Sequence, residues 1–374
     1  MSISRRTFGA LSAGAVLSGC TQDDVPKTGS IRHFLPTSYL QIEGRHQKTF
    51  PPPTQMRDTD ITREEGHIFA FPGLKLQFST RGSYVSVEQI ASTDITAWDV
   101  KIDDEPWKKL ALPMGTFVLK LPGDTNAPSN ITMVRRTEAW QGTNHVLRIV
   151  SDAEFDTPSH LPKRKLLFIG DSITCGANSE LSSADGRSGD IISNARLSYG
   201  RILGDQLGAQ VHLVAYGGKG LVRDWQGLTS EVTAPQFFER ALPDDPDSSW
   251  DHSQYVPDAI GVCLGQNDFN QDIPNRERWV GTYVNFLRRI RETAPKASIF
   301  VINSPMSRND GPTSKGGVLL SYLDEIVSTS GDAKIKRANV SHYPGVTPTD
   351  GHPSTASHAK IAAELLPAFT KLFQ

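Results

Sequence analysis

Between residues 67 and 150 the chain alternates apolar and polar positions in short runs. These are HIFAF (67–71), LKLQFS (74–79), YVSVEQI (84–90), WDVKID (98–103), TFVLKL (116–121), ITMVRR (131–136) and HVLRIV (145–150). A period of two predicts strands with one face buried. Gly, Pro, Asp or Asn punctuate most of the gaps, and no helical stretch of any length interrupts the series. The pattern predicts an all-β sandwich or jelly roll over residues 31–155.

A Pro-rich junction, DTPSHLPKR (156–164), precedes a change of period. KLLFIG (165–170), QVHLVAY (210–216), DAIGVCLG (258–265), SIFVINS (298–304) and ANVSHY (338–343) read as buried strands. Helical spacing separates them, in ARLSYGRILGDQLG (195–208), RERWVGTYVNFLRRIRETAP (276–295), VLLSYLDEIVST (318–329) and TASHAKIAAELLPAFTKLF (355–373). Strands alternating with helices predict a parallel sheet covered on both faces, an α/β/α body over 165–374. Active sites on such sheets lie outside the C-terminal ends of the strands.

Residues 1–20, MSISRRTFGALSAGAVLSGC, have another character. Arg5-Arg6 form a basic start, and an apolar run follows that is too short for a permanent span. This is the pattern of a signal peptide, with Ser4-Arg5-Arg6-Thr7-Phe8 of the twin-arginine type. Leu17-Ser18-Gly19-Cys20 resembles a bacterial lipobox, which implies lipidation of Cys20 in the cell envelope or periplasm. The polar segment 21–30 (TQDDVPKTGS) suits a tether.

The length of 374 residues fits about two domains. The formal net charge is −2, which argues against a nucleic-acid partner, since that needs a basic face. Arg135-Arg136 and Lys163-Arg164-Lys165 are too short for basic patches and read as solvated faces or strand edges. The three cysteines, Cys20, Cys175 and Cys263, contain no CxxC pair, so neither a disulfide framework nor a zinc site is expected. Cys175 and Cys263 sit beside apolar strands and read as buried free thiols.

Four segments at predicted strand tips carry chemistry. Gly170-Asp171-Ser172 ends the first strand of the α/β body. Gly170 would allow a sharp turn, and a helix starting there would aim backbone N–H groups at an anion. Ser172 is a weak nucleophile without a base. Gly217-Gly218-Lys219-Gly220 follows the second strand, where a glycine presents its N–H without a side chain in the way. In Gly265-Gln266-Asn267-Asp268, after the third strand, the Asn267 amide could donate to an oxyanion and Asp268 could hold the loop. Asp350-Gly351-His352-Pro353 precedes the last helix and supplies a base. A nucleophile, a base and three oxyanion donors are what acyl transfer requires.

These segments resemble the blocks of the SGNH/GDSL hydrolase superfamily, which supply Ser, Gly, Asn and His in that order. The string Gly-Asp-Ser-Ile-Thr-Cys-Gly (170–176), with Gly218-Lys219-Gly220-Leu221, Leu264-Gly265-Gln266-Asn267-Asp268-Phe269 and Asp350-Gly351-His352-Pro353, is most similar to carbohydrate esterase family 2, the acetylxylan-esterase-like branch. That family carries a jelly roll ahead of its catalytic body. The superfamily at large has Asp three residues before the His, where this chain has Thr349. Either Asp350 or a backbone carbonyl could therefore orient His352. Gly217 stands where the family often has Ser.

The resemblance implies a serine esterase that removes acetyl groups from a polysaccharide. Ser172 would be the nucleophile and His352 the base, with Asp350 orienting it. Ser172, Gly218 and Asn267 would form the oxyanion hole. Trp225 and Phe269 follow the site loops and are candidates for sugar stacking, whereas the helical spacing of Trp279 predicts core. No cofactor is expected. His342, His352 and His358 have no metal-ligand spacing. Two other readings stay open: an envelope esterase acting on lipid or bacterial-wall acyl esters, and a lipid-anchored carbohydrate-binding protein with an inactive hydrolase body. The β domain reads as support rather than as a binding module, because its strands show no aromatic row.

Overall fold

A computed structural model describes residues 32–49, 66–111, 115–122, 127–181, 192–347 and 350–373. The leader, Cys20 and the segment 21–30 lie outside the described residues. The first body holds strands β1 (His33–Phe34), β2 (Gln41–Glu43), β3 (Gln47–Thr49), β4 (Gly66–Phe69), β5 (Lys75–Thr80), β6 (Tyr84–Ala91), β7 (Trp98–Ile102), β8 (Lys108–Leu110), β9 (Gly115–Lys120), β10 (Ser129–Arg135), β11 (Asn144–Ser151) and β12 (Phe155–Asp156). They form two antiparallel sheets. One has the order β3-β4-β11-β6-β9 with β1 beside β11; the other is β12-β5-β10-β7-β8 with β2 beside β5. In β6 the alternation buries Val85, Val87 and Gln89 and turns Tyr84, Ser86 and Glu88 outward. Phe69, Leu76, Phe78, Trp98, Phe117 and Met133 fill the space between the sheets. Gln89 is admitted to this core because its side-chain oxygen accepts the Trp98 indole N–H at 3.0 Å.

Among the described residues, the second body has five parallel strands: β13 (Arg164–Gly170), β14 (Ala209–Ala215), β15 (Ala259–Cys263), β16 (Ser298–Ile302) and β17 (Ile335–Ala338). Their order is β14-β13-β15-β16-β17. Helices α1 (Ser172–Cys175), α2 (Tyr199–Leu207), α3 (Ala234–Phe238), α4 (Arg276–Thr293), α5 (Lys315–Ser330) and α6 (Thr355–Thr370) complete it. Successive side chains of β13 serve opposite cores. Leu167 and Ile169 meet α3, α4 and α5 through Phe237, Trp279, Leu287 and Leu323. Leu166 and Phe168 meet α2 and α6 through Tyr199, Leu203, Leu365 and Phe369. Each of the longer helices α4, α5 and α6 starts on a side-chain cap, Asn275, Ser314 and Ser354 respectively, which satisfies N–H groups that the helix leaves unpaired.

Two expectations are corrected here. The last strand is not ANVSHY but Ile335–Ala338. It is an edge strand, so Lys336 and Arg337 are tolerated on it and the apolar signal is weak. Beyond it Val340 is held by a side chain, exchanging both backbone hydrogen bonds with the Asn303 amide at 2.9 Å. Nor are Arg135 and Arg136 solvated, since both are fully buried. Arg135 donates to Asn144 Oδ1 at 2.9 Å and to the Thr137 carbonyl at 2.8 Å. Arg136 bridges Asp99 of the sandwich and Glu180 of the α/β body. Asn194 and Arg196 join the same carboxylates. A buried ion cluster of this kind ties the two bodies together at a defined place. Lys163 and Arg164 are exposed, as the sequence suggests, Lys165 is half-buried over the Tyr255 ring, and Cys175 and Cys263 are buried and free.

Candidate active site

The register levels three strand tips. Gly170 at the end of β13 pairs with Ala215 of β14 on one side and Cys263 of β15 on the other. The strand order reverses at β13, which opens a crevice beyond these tips. Ser172 lies two residues past its strand, Gly218 three and Asn267 four, and all three line one cavity with His352 and Asp350.

The turn carrying Ser172 is built locally. Asp171 caps the one-turn helix α1, its carboxylate accepting from Ile173 N at 3.0 Å, and Gly176 closes it with a left-handed φ of 70°. The expected role of Gly170 needs correction. It has no positive φ; it is glycine because a Cβ there would lie 2.1 Å from Thr174 Oγ1 and 3.0 Å from the Cys263 carbonyl.

His352 Nε2 stands 2.8 Å from Ser172 Oγ, and its Nδ1 stands 2.6 Å from Asp350 Oδ1. The same Asp350 oxygen accepts the His352 backbone N–H at 2.9 Å, and the other accepts from the Asn178 amide. Asp350, not a backbone carbonyl, therefore orients the imidazole, with the Nδ1 proton towards the carboxylate and Nε2 towards the serine. Burial works against the Asp350 charge, yet the His352 and Asn178 hydrogen bonds prevail and hold its carboxyl down at about 2. His352 is subject to the opposite balance. Burial disfavours the imidazolium, but the Asp350 hydrogen bond and the charges of Asp350, Glu138 and Asp171 raise its pKa above 6.5. Asp171 itself is pushed up to about 7, chiefly by burial.

The second and third segments meet across the mouth. The Asn267 amide donates to the Lys219 carbonyl at 2.8 Å, which fixes its side chain and leaves its second N–H for a ligand. Gly218 has φ 78°, a conformation that favours glycine. Asp268 clamps the following loop, accepting from Leu221 N at 2.9 Å, Val222 N at 2.8 Å and Arg223 N at 3.3 Å. Gly220 is required beneath it, because a Cβ would lie 2.6 Å from Asp268 Oδ2.

The cavity measures about 620 Å³, within the range of small-molecule sites. Trp225 lines it and is half exposed. Phe269 does not line it. Only 2% of Phe269 is accessible, and it packs edge-on against Trp279, with centroids 5.3 Å apart, and against Tyr322. Its proximity to Asn267 misleads because Phe269 N already donates back to the Gly265 carbonyl, so the chain has turned inward. Trp279 is core, as its spacing predicts. His358 is also core: burial lowers its pKa to about 3, and it accepts from Tyr199 N.

Some site residues escape a reading of the sequence. Asn178 adopts a left-handed φ of 50°, which Asn tolerates better than most side chains, and this aims its amide at Asp350. Its backbone N–H donates to Ser193 Oγ at 3.1 Å, and that hydroxyl donates to Glu138 Oε1 at 3.1 Å. Glu138 belongs to the β-sandwich. A chain of contacts thus runs from the first body through Ser193, Asn178 and Asp350 to His352. The Gln266 side chain accepts from Ser304 and Ser307 and lines the cavity too.

Comparison with known proteins agrees with this architecture. The model of the GDSL-like Lipase/Acylhydrolase family matches residues 168–360, and that of the Carbohydrate esterase 2 N-terminal domain matches residues 59–158. An acetylxylan esterase / glucomannan deacetylase of Cellvibrio japonicus is 30% identical over 97% of both chains. The structure of a family two carbohydrate esterase from Cellvibrio japonicus superposes with a TM-score of 0.82 at 30% identity, covering 92% of this chain and 98% of that one. A family two carbohydrate esterase from Clostridium thermocellum, in complex with cellohexaose, gives 0.77 at 25% identity, covering 89% of this chain and 99% of that one.

Proposed function

This chain belongs to carbohydrate esterase family 2, with a GDSL-like acylhydrolase body and the family's N-terminal domain, and from that premise we propose that it removes acetyl groups from a polysaccharide through an acyl-enzyme on Ser172. It is a carboxylic ester hydrolase; the acetyl-glycan substrate and the residue roles are our reading. The observation that carries them is the relay Asp350–His352–Ser172, with contacts of 2.6 and 2.8 Å at the mouth of one cavity.

His352 Nε2 takes the Ser172 proton as Oγ attacks the ester carbonyl. The oxyanion receives hydrogen bonds from the Ser172 and Gly218 backbone N–H groups and from the Asn267 amide. The imidazolium, stabilised by Asp350, then protonates the departing sugar oxygen. Water, deprotonated by His352, attacks the acyl-enzyme, and collapse of the second tetrahedral intermediate returns Ser172 and releases acetate. Trp225 offers an indole face to a sugar ring.

Acyl-chain preference tests the substrate reading. Acetate esters should be cleaved far faster than long-chain esters, and the reverse order would indicate an envelope lipid esterase. The leader supports export and lipid attachment at Cys20. Labelled palmitate should enter the wild type and not a Cys20→Ser variant, and equal labelling of both would refute lipidation there.

A further inference from the structure

We propose that Trp140, carried by the β-sandwich, is a second sugar-binding platform of this cavity, so that a glycan chain is held by one indole from each body. The proposal rests on the carbohydrate-ester reading above. Trp140 and Trp225 are the most exposed of the large apolar side chains among the described residues, at 53% and 50%, and both line the cavity that holds Ser172 and His352. They pack on neighbouring residues of one loop. A Cβ on Gly217 would lie 3.4 Å from Trp140 Cδ1, and one on Gly218 would lie 2.9 Å from Trp225 Cδ1. The two indoles therefore flank the segment that carries the Gly218 N–H.

Trp140 is also held in place. It sits in a short 3-10 turn, Ala139–Gln141, whose Ala139 and Gln141 are buried. The Gln141 side chain accepts from Glu138 N at 2.8 Å, and Arg135 donates to the Thr137 and Glu138 carbonyls from below. The Glu138 carboxylate beside it accepts from Ser193 Oγ at 3.1 Å. Glu138 needs the space left by Gly217, since a Cβ there would come within 2.1 Å of Glu138 Oε2. An aromatic face fixed before binding loses little entropy when a ligand arrives. Sugar rings present C–H faces to such a surface and hydroxyls at their edges, and Lys219, Gln266 and Asn270 of the same cavity supply polar groups for those edges.

The test compares wild type, Trp140→Ala and Trp140→Phe on para-nitrophenyl acetate and on acetylated xylan and glucomannan, with circular dichroism to confirm folding. The alanine variant should keep its rate on the small ester within about twofold, as a surface change does. Its KM for polysaccharide should rise about tenfold, the loss expected for truncating a stacked tryptophan, with kcat maintained, and Trp140→Phe should recover most of the affinity. An equal loss on both substrates would make Trp140 structural and overturn the proposal, as would an unchanged polysaccharide KM. A wild type that cleaves para-nitrophenyl acetate but no polysaccharide would overturn the glycan reading itself, and the platform with it.

Discussion

Replacing Asp350 by alanine isolates the part of the relay for which the sequence leaves two candidates, Asp350 and a backbone carbonyl. Asp350 makes three contacts at once: to His352 Nδ1 at 2.6 Å, to His352 N at 2.9 Å and to the Asn178 amide. Together these hold its carboxyl at about 2 rather than 3.8, against the opposing effect of burial. That depression corresponds to about 2.5 kcal/mol. The alanine variant also frees the ring to rotate and to take the wrong tautomer. We expect kcat/KM on para-nitrophenyl acetate to fall by roughly 10²–10³. The pH profile should move as well. His352 acts as base when neutral, and Asp350 raises its pKa, so the acid limb should shift to lower pH in the variant. A loss below about fivefold, less than one ordinary hydrogen bond, or an unmoved acid limb would refute this assignment of Asp350.

Three further outcomes follow from the same geometry. Asn267→Ala should lower kcat by roughly 10²–10³ with little change in KM; an effect confined to KM would remove Asn267 from the oxyanion site. In the wild type, activity should be lost as pH falls through a midpoint above 6.5, because the folded pKa of His352 is raised, and a midpoint below 6.5 would contradict the carboxylate environment described. Arg136→Met leaves Asp99 with Arg196 alone and Glu180 without the Arg136 cation and should cost about 1.5–3 kcal/mol in urea unfolding, whereas a loss under about 1 kcal/mol would place the cluster with exposed pairs.

Much of this molecule is legible in its sequence. The alternating runs locate the sandwich strands, and the four strand-tip segments locate Ser172, Gly218, Asn267 and His352 at one mouth, because a parallel sheet brings its C-terminal ends together. What escapes the sequence is non-local. Asn178 reaches Asp350 across 172 positions, and Glu138 and Trp140 enter the cavity from the other body through a turn with no periodicity to read. Phe269 fails as a surface candidate for a related reason: its fate depends on Trp279 and Tyr322, which lie on α4 and α5. Arg135 and Arg136 look like surface charge until their buried partners Asn144, Asp99 and Glu180 are seen.

The most direct test of the central claim is acetate release by residues 31–374 from para-nitrophenyl acetate and acetylated xylan and glucomannan, measured beside Ser172→Ala. The account predicts release from the small ester and from at least one polysaccharide, abolished in the folded variant. Release that persists in Ser172→Ala, or a folded wild type that frees no acetate from any of them, would contradict it.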